Sequence, residues 1–290
     1  MKRYTFLIAF AVTLASMLTL QAQQSALLDS AALEQQHEYR SLEEAFKEPL
    51  KVVKLYLYRS ELKALPPEIG KLTNLQVLNA LDNQLTTLPP EIGKLTKLQE
   101  IYVQVNEITT LPPEIANLVN LKKLYIWGNP LKKIPDAIWK LTNLQALDLS
   151  DNQLSTLPAE IGKLNNLKLL GLQDNNLTTL PTEILNLKSL QTLTLKANQF
   201  TVLPPEIVKL TSLLNLTIDR NKLIALPKEI VNLANLYSLS AGGNQFTAIP
   251  IEIGKLSNLK EFDLSGSLLP ESEREKIRKL LPKTRITLGK

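Results

Sequence analysis

Side chains able to do covalent or proton-transfer chemistry are few in this sequence, and they are badly placed for it. Its one histidine, His37, stands ahead of the regular part of the chain, and cysteine is absent. A Cys–His pair, a disulfide framework and a Cys-ligated metal are therefore excluded. A Ser-His-Asp set would need His37 to reach a serine far along the chain. Carboxylates are plentiful, but Glu68, Glu91, Glu114, Glu160, Glu183, Glu206, Glu229 and Glu252 recur at multiples of 23 residues, so they answer to structure. Each has a basic or amide residue three positions on, as with Glu68 and Lys71, which suits a solvated helical turn. No glycine-rich phosphate loop follows a strand pattern. The expectation is a chain that is not an enzyme and needs no cofactor or metal. What remains is the chemistry of recognition. Aromatic residues make up only 5% of the sequence, yet Tyr56, Tyr58, Tyr102, Tyr125 and Trp127, with Leu81 and Lys123, fall in its first half.

The elements that must position these residues are repeats. Leucine or its equivalent recurs every 23 residues at Val52, Leu75, Leu98, Leu121, Leu144, Leu167, Leu190, Leu213, Leu236 and Leu259. These mark ten units with no insertion between them. Each reads L-x-x-L-x-L-x-x-N-x-L and then x-x-L-P-x-E-I-x-x-L-x-x, as in LQALDLSDNQL followed by STLPAEIGKLNN. Alternate apolar residues such as Leu147 and Leu149 call for a short extended segment with one buried face. One unit cannot bury its leucines alone, but stacked units pair these segments into a parallel sheet over a continuous core. Asparagine closes the first part in eight successive units, from Asn83 to Asn244, and can satisfy backbone groups of adjacent coils by donating and accepting together. Ser60 and Ser267 stand there in the first and last units, and serine is expected to suffice where one neighbour is missing. The Leu-Pro pair then fixes an extended residue, and Glu-Ile-x-x-Leu gives one short helical turn with its apolar side inward.

This grammar resembles that of the leucine-rich repeat family, in its 23-residue form with Leu-Pro-x-Glu-Ile connectors. The resemblance covers residues 52–269. The connector is similar to that of exported bacterial members, and also to that of intracellular Ras-pathway scaffolds and plant resistance-type proteins. It implies an α/β solenoid, a horseshoe with a parallel concave β-sheet and short helical turns on the convex side. It also implies recognition of a protein partner on the concave face. A cytoplasmic signalling scaffold and a structural or adhesive surface protein remain the alternatives.

On the concave face, three columns of side chains vary while the frame stays fixed. The middle one runs Tyr56, Asn79, Tyr102, Tyr125, Asp148, Gly171, Thr194, Thr217, Ser240, Asp263. The one nearer the asparagines runs Tyr58, Leu81, Gln104, Trp127, Ser150, Gln173, Lys196, Asp219, Gly242, Ser265. Strands lie about 4.8 Å apart, so Tyr102, Tyr125 and Trp127 are expected to touch, with Tyr56, Tyr58 and Leu81 extending the patch. Tyrosine and tryptophan on a rigid open face are common binding hot spots. The competing reading is that Tyr56 and Tyr58 merely pack beneath the segment ahead of the repeats. Trp139 occupies a connector position held elsewhere by small or aliphatic residues, and is expected to be half-exposed on the convex side. Ala80 and Ala241 replace core leucines, which would soften their units.

The flanks complete the organisation. Residues 1–22, MKRYTFLIAFAVTLASMLTLQA, have a basic start, an apolar run and a closing Ala22, and read as a secretory signal peptide. If it stays uncleaved it would anchor the chain to a membrane. Residues 23–40 form a polar, alanine-rich leader, either mobile or an extra helix, that could fold back on the aromatic patch. Residues 41–51 should form an N-terminal cap helix opened by the capping box Ser41-Leu-Glu-Glu44. Residues 270–290 should form a C-terminal cap, a helix opened by Ser272 followed by a closing strand. Net charge is +5, and removing Lys2 and Arg3 would leave +3, too small and scattered for a nucleic-acid partner. An exported monomer is expected, in the periplasm, at the cell surface or in the medium.

Overall fold

Each 23-residue unit makes one coil, a three-residue strand and a turn that leads into a short return helix. Our computed structural model describes residues 26–289, so the expected signal peptide lies outside the described residues. Twelve strands form one open parallel sheet in sequence order. They are β1 (Glu38–Tyr39), β2 (Lys54–Tyr56), β3 (Val77–Asn79), β4 (Glu100–Tyr102), β5 (Lys123–Tyr125) and β6 (Ala146–Asp148), followed by β7 (Leu169–Gly171), β8 (Thr192–Thr194), β9 (Asn215–Thr217), β10 (Ser238–Ser240), β11 (Glu261–Asp263) and β12 (Arg285–Thr287). From β2 to β11 the register is one whole unit, as in Ile101 against Leu124 and Tyr102 against Tyr125. Every core leucine therefore stacks on its own equivalent.

The return helix is of the 3-10 type. Pro66 is held extended at φ −71°, ψ 152°, Ile69 N donates to Pro66 O at 3.0 Å, and Leu72 N donates to Ile69 O at 3.0 Å. Tight i to i+3 bonding suits a turn this short. Its Ile and Leu side chains are buried, and one continuous core runs from Tyr39 to Leu288.

The asparagines form a hydrogen-bonded ladder. Asn106 Nδ2 donates to Ala80 O of the previous coil at 3.0 Å and to Val103 O and Gln104 O of its own coil at 3.1 Å, while its Oδ1 accepts from Leu85 N at 2.9 Å. The set repeats down to Asn244. Serine does not replace it at the ends. Among the described residues, Ser267 Oγ is buried without a partner, and Ser60 Oγ reaches only Tyr58 O, at 3.5 Å. A hydroxyl is too short to span two coils as the amide does. The residue before each rung is left-handed, including Val105 at φ 52° and Gly128 at φ 68°.

The ends close the core. A helix α1 (Ser30–Glu34) and β1 occupy part of the segment expected to be a leader, and β1 pairs with β2 through Glu38–Lys54 and Tyr39–Leu55. A second helix, α2 (Leu42–Lys47), is capped by Ser41, whose side chain accepts from Glu44 N at 3.1 Å. Glu44 returns its bond to Arg40 N rather than to Ser41. At the other end, α3 (Glu271–Leu280) begins one residue before Ser272, after Pro270 and with no side-chain cap. Proline's fixed extended geometry starts this helix, so the expected Ser272 cap does not form. Ile277 and Leu281 are buried over the last coil.

Trp139 departs from expectation too. It is only 3% exposed, and its Nε1 has no hydrogen-bond partner among the described residues. Ala116 and Gly162 hold the equivalent places on the flanking coils, and small residues there leave room for the indole inside the wall.

Candidate recognition surface

Alternation in each strand sends its first and third residues to the concave side. In β4 and β5 these are Glu100, Tyr102, Lys123 and Tyr125, and they lock together. Tyr102 and Tyr125 stack with ring centroids 5.2 Å apart and planes 5° from parallel. Glu100 accepts from the Tyr102 hydroxyl at 2.6 Å and pairs with Lys123 Nζ at 2.9 Å. Burial, and then the bond to Glu100, push the Tyr102 phenol far above its ordinary range, and burial raises Tyr125 as well. Both rings are thus neutral and held face to face.

The remaining expected site residues divide around this pair. Trp127 lies half-buried in the neighbouring column and makes no ring contact among the described residues, so the expected cluster of three is a pair and a separate indole. Trp127 is two residues beyond Tyr125 on an extended chain, a spacing of about 6.6 Å that these side chains do not lean across. Tyr58 is exposed, with the Arg59 guanidinium 4.8 Å from its ring, and Arg59 bonds Asp82 at 2.6 Å. Tyr56 is half-buried under Lys54 Nζ at 5.5 Å, and burial raises its phenol too. Asn79 stands between Tyr56 and Tyr102 in the column, and Leu81 is half-buried beside it.

Three features escaped the sequence reading. The first is Gln104, between Leu81 and Trp127, only 8% exposed and with a buried Oε1 that has no hydrogen bond among the described residues. An amide between two apolar members of one column was its available signal. The second is the seat of the segment ahead of the repeats. Gln76 and Gln99, at the threshold of β3 and β4, are 1% and 2% exposed because residues 26–28 cover them. Leu28 N donates to Gln76 Oε1 at 2.9 Å, Gln76 Nε2 donates to Ala26 O at 3.0 Å, and Gln99 Nε2 donates to Leu28 O at 2.7 Å. Leu33 of α1 then lines a cleft of about 230 Å³ with Lys54, Tyr56, Val77, Glu100, Tyr102 and Lys123. The third is a polar cavity of about 560 Å³ in the C-terminal half, lined among others by Lys196, Asp219, Arg220, Gly242 and Asp263. Asp219 Oδ1 accepts there from Ser240 Oγ at 2.6 Å and from Gly242 N at 3.0 Å. Among the described residues no group of His, Cys, Asp and Glu is arranged to hold a metal, and no helix is long and apolar enough to cross a membrane.

A family model described as a leucine-rich repeat region matches residues 27–129 and 159–285, and a second, leucine rich repeat, matches residues 119–177. The chain belongs to the leucine-rich repeat family. Its solved neighbours include bacterial and plant members. The leucine-rich repeat ectodomain of the receptor kinase GASSHO1/SCHENGEN3 from Arabidopsis thaliana, solved in complex with Casparian strip integrity factor 2, is 31% identical at a TM-score of 0.66. The match covers 80% of this chain and 32% of that one, so this chain spans about a third of the plant ectodomain's length. An internalin of Listeria monocytogenes is 22% identical at a TM-score of 0.57, covering 84% of this chain and 82% of that one, and shares the fold. A leucine-rich repeat protein of Leptospira interrogans is 28% identical at a TM-score of 0.44, over 87% of this chain and 100% of that one. No curated protein matches the chain.

Proposed function

We propose that this leucine-rich repeat chain is an exported recognition module that binds a protein partner on the N-terminal half of its concave face. The stacked Tyr102–Tyr125 pair carries the reading. Two stacked aromatic rings on an open sheet, with the Tyr102 hydroxyl held by Glu100 and Glu100 held by Lys123, offer a preorganised contact at little cost in side-chain freedom. Trp127, Leu81, Tyr56 and Tyr58 extend that surface on either side. The Arabidopsis neighbour's complex with an integrity factor is consistent with a leucine-rich repeat surface used for protein recognition. Export rests on the basic, then apolar, then small-residue order of residues 1–22.

Replacing Tyr125 and Trp127 together with serine should abolish partner binding, while circular dichroism and the urea midpoint stay close to wild type. The partner is found first by photo-cross-linking from Lys123. Unchanged affinity of the double variant removes the claim. Sequencing the mature N-terminus after fractionation tests export, and a start at Met1 in a soluble cytosolic fraction would favour the cytoplasmic scaffold instead.

A further inference from the structure

The contacts made by residues 26–28 are of an unusual kind for an intramolecular cover. All three are between glutamine side chains at the starts of β3 and β4 and main-chain groups of the covering segment, namely Ala26 O, Leu28 N and Leu28 O. The glutamines are themselves oriented. Gln99 Nε2 donates to Gln76 Oε1 at 2.7 Å, and Lys122 Nζ donates to Gln99 Oε1 at 2.6 Å. Such a row recognises the direction and extension of a peptide chain and is indifferent to its side chains.

The segment that uses this row is held lightly. In α1 only Leu33 is buried, and Asp29, Ser30, Ala31 and Glu34 are exposed. A stretch fixed by three hydrogen bonds and one leucine opens locally without disturbing the coils beneath. Opening would uncover Gln76, Gln99 and the cleft against Tyr56, Glu100, Tyr102 and Lys123 that Leu33 lines. Three of these cleft residues, Glu100, Tyr102 and Lys123, also build the aromatic platform, so a partner seated on the platform meets the segment directly.

We propose that residues 26–36 are a displaceable strap across the recognition face, and that its competitor is an extended peptide segment of the partner. Gln76 and Gln99 would read that peptide through its main chain, and an aliphatic side chain would take the place of Leu33. The proposal rests on the concave face being the recognition surface and adds what covers it at rest. The strap's own chemistry defines the ligand class. It is a peptide offering one N–H and two carbonyls over three consecutive residues, followed within about one helical turn by a leucine-like side chain.

The test uses a fluorescent synthetic peptide with the sequence of residues 24–36, QSALLDSAALEQQ, and the full-length chain. Leu33→Glu expels the buried anchor, and Leu28→Pro removes the N–H that Gln76 accepts. Both should bind the peptide at least tenfold more tightly than wild type in fluorescence anisotropy. A peptide N-methylated at the residue equivalent to Leu28 should bind neither. Equal affinity for all three proteins, or indifference to N-methylation, overturns the proposal. A readout on the wild-type chain avoids dependence on variant folding, because excess peptide should accelerate hydrogen exchange at the Leu28 amide and leave Leu147 in β6 unaffected. No acceleration also overturns it. Peptide binding that fails while Tyr125→Ser/Trp127→Ser still loses its partner removes the strap alone. The reverse pattern removes the platform and keeps the strap.

Discussion

On β4 and β5 the outward positions carry Glu100, Tyr102, Lys123 and Tyr125, whereas on β9 and β10 they carry Asn215, Thr217, Ser238 and Ser240. Both pairs of strands sit on coils of one repeat frame with the same asparagine rungs, although Ala241 replaces a larger core residue after β10. One half has become a platform built on a stacked aromatic pair. The other has become a polar cavity in which Gly242 leaves space, since a Cβ there would lie 2.7 Å from Ser265 O. The frame fixes where a side chain points, and only its identity decides whether the spot is raised and apolar or recessed and wet.

The sharpest way to break this contrast is to compare binding losses from the two halves. Serine at both Tyr125 and Trp127 should cost about 4 kcal/mol of binding, roughly a thousandfold in Kd by titration calorimetry, on the hot-spot scale. Alanine at both Lys196 and Asp219 should stay within about threefold, the effect of a substitution outside the contact. Equal losses would erase the distinction.

A second comparison sets the shared frame against its ends. Asn152→Ala removes a rung that donates to Ile126 O, Leu149 O and Ser150 O and accepts from Leu131 N. Urea unfolding should show a loss of about 3 kcal/mol, because buried backbone groups lose their partners. Ser267→Ala removes a hydroxyl that already lacks one, so its stability should be unchanged or raised by up to about 1 kcal/mol.

Alkaline pH should separate the halves more gently. The Tyr102 phenol is raised in the folded chain, first by burial and then by its bond to Glu100. Its contribution is therefore complete below the ordinary tyrosine value of about 10 and is lost as pH climbs past it. Urea midpoints measured from pH 9 to 11 should fall less steeply for Tyr102→Phe than for wild type. The smallest effect belongs to the turns. Val105 adopts φ 52°, while Gly243 and Gly266 hold equivalent places in the polar half at 62° and 71°. Val105→Gly should relieve this strain and gain up to about 1 kcal/mol in thermal unfolding.

What was legible in the sequence is what repeats. The strand alternation, the asparagine rungs and the outward columns could be read from any unit, because ten copies average out local exceptions. Burial of Trp139 could not be read from its own unit, since it depends on Ala116 and Gly162 in the units beside it. Ser60 and Ser267 look like conservative replacements until the reach of an amide across two coils is measured. The cover formed by residues 26–36 has no counterpart in the repeats, so nothing in the period announced that Gln76 and Gln99 would hold it. Gln104 was visible as an amide between Leu81 and Trp127, but its unmet Oε1 is a property of the packed column.

The asparagine ladder also makes this molecule a ruler that can be recut. Every rung engages only its own coil and the one before it, so duplicating residues 153–175 would present each junction with the sockets it already expects. The added strand would move the Asp219 cavity about 4.8 Å farther from the Tyr102–Tyr125 pair while leaving both intact. Distance along the recognition face is thus set by a count of units, and can change in whole steps without any residue on the face being altered.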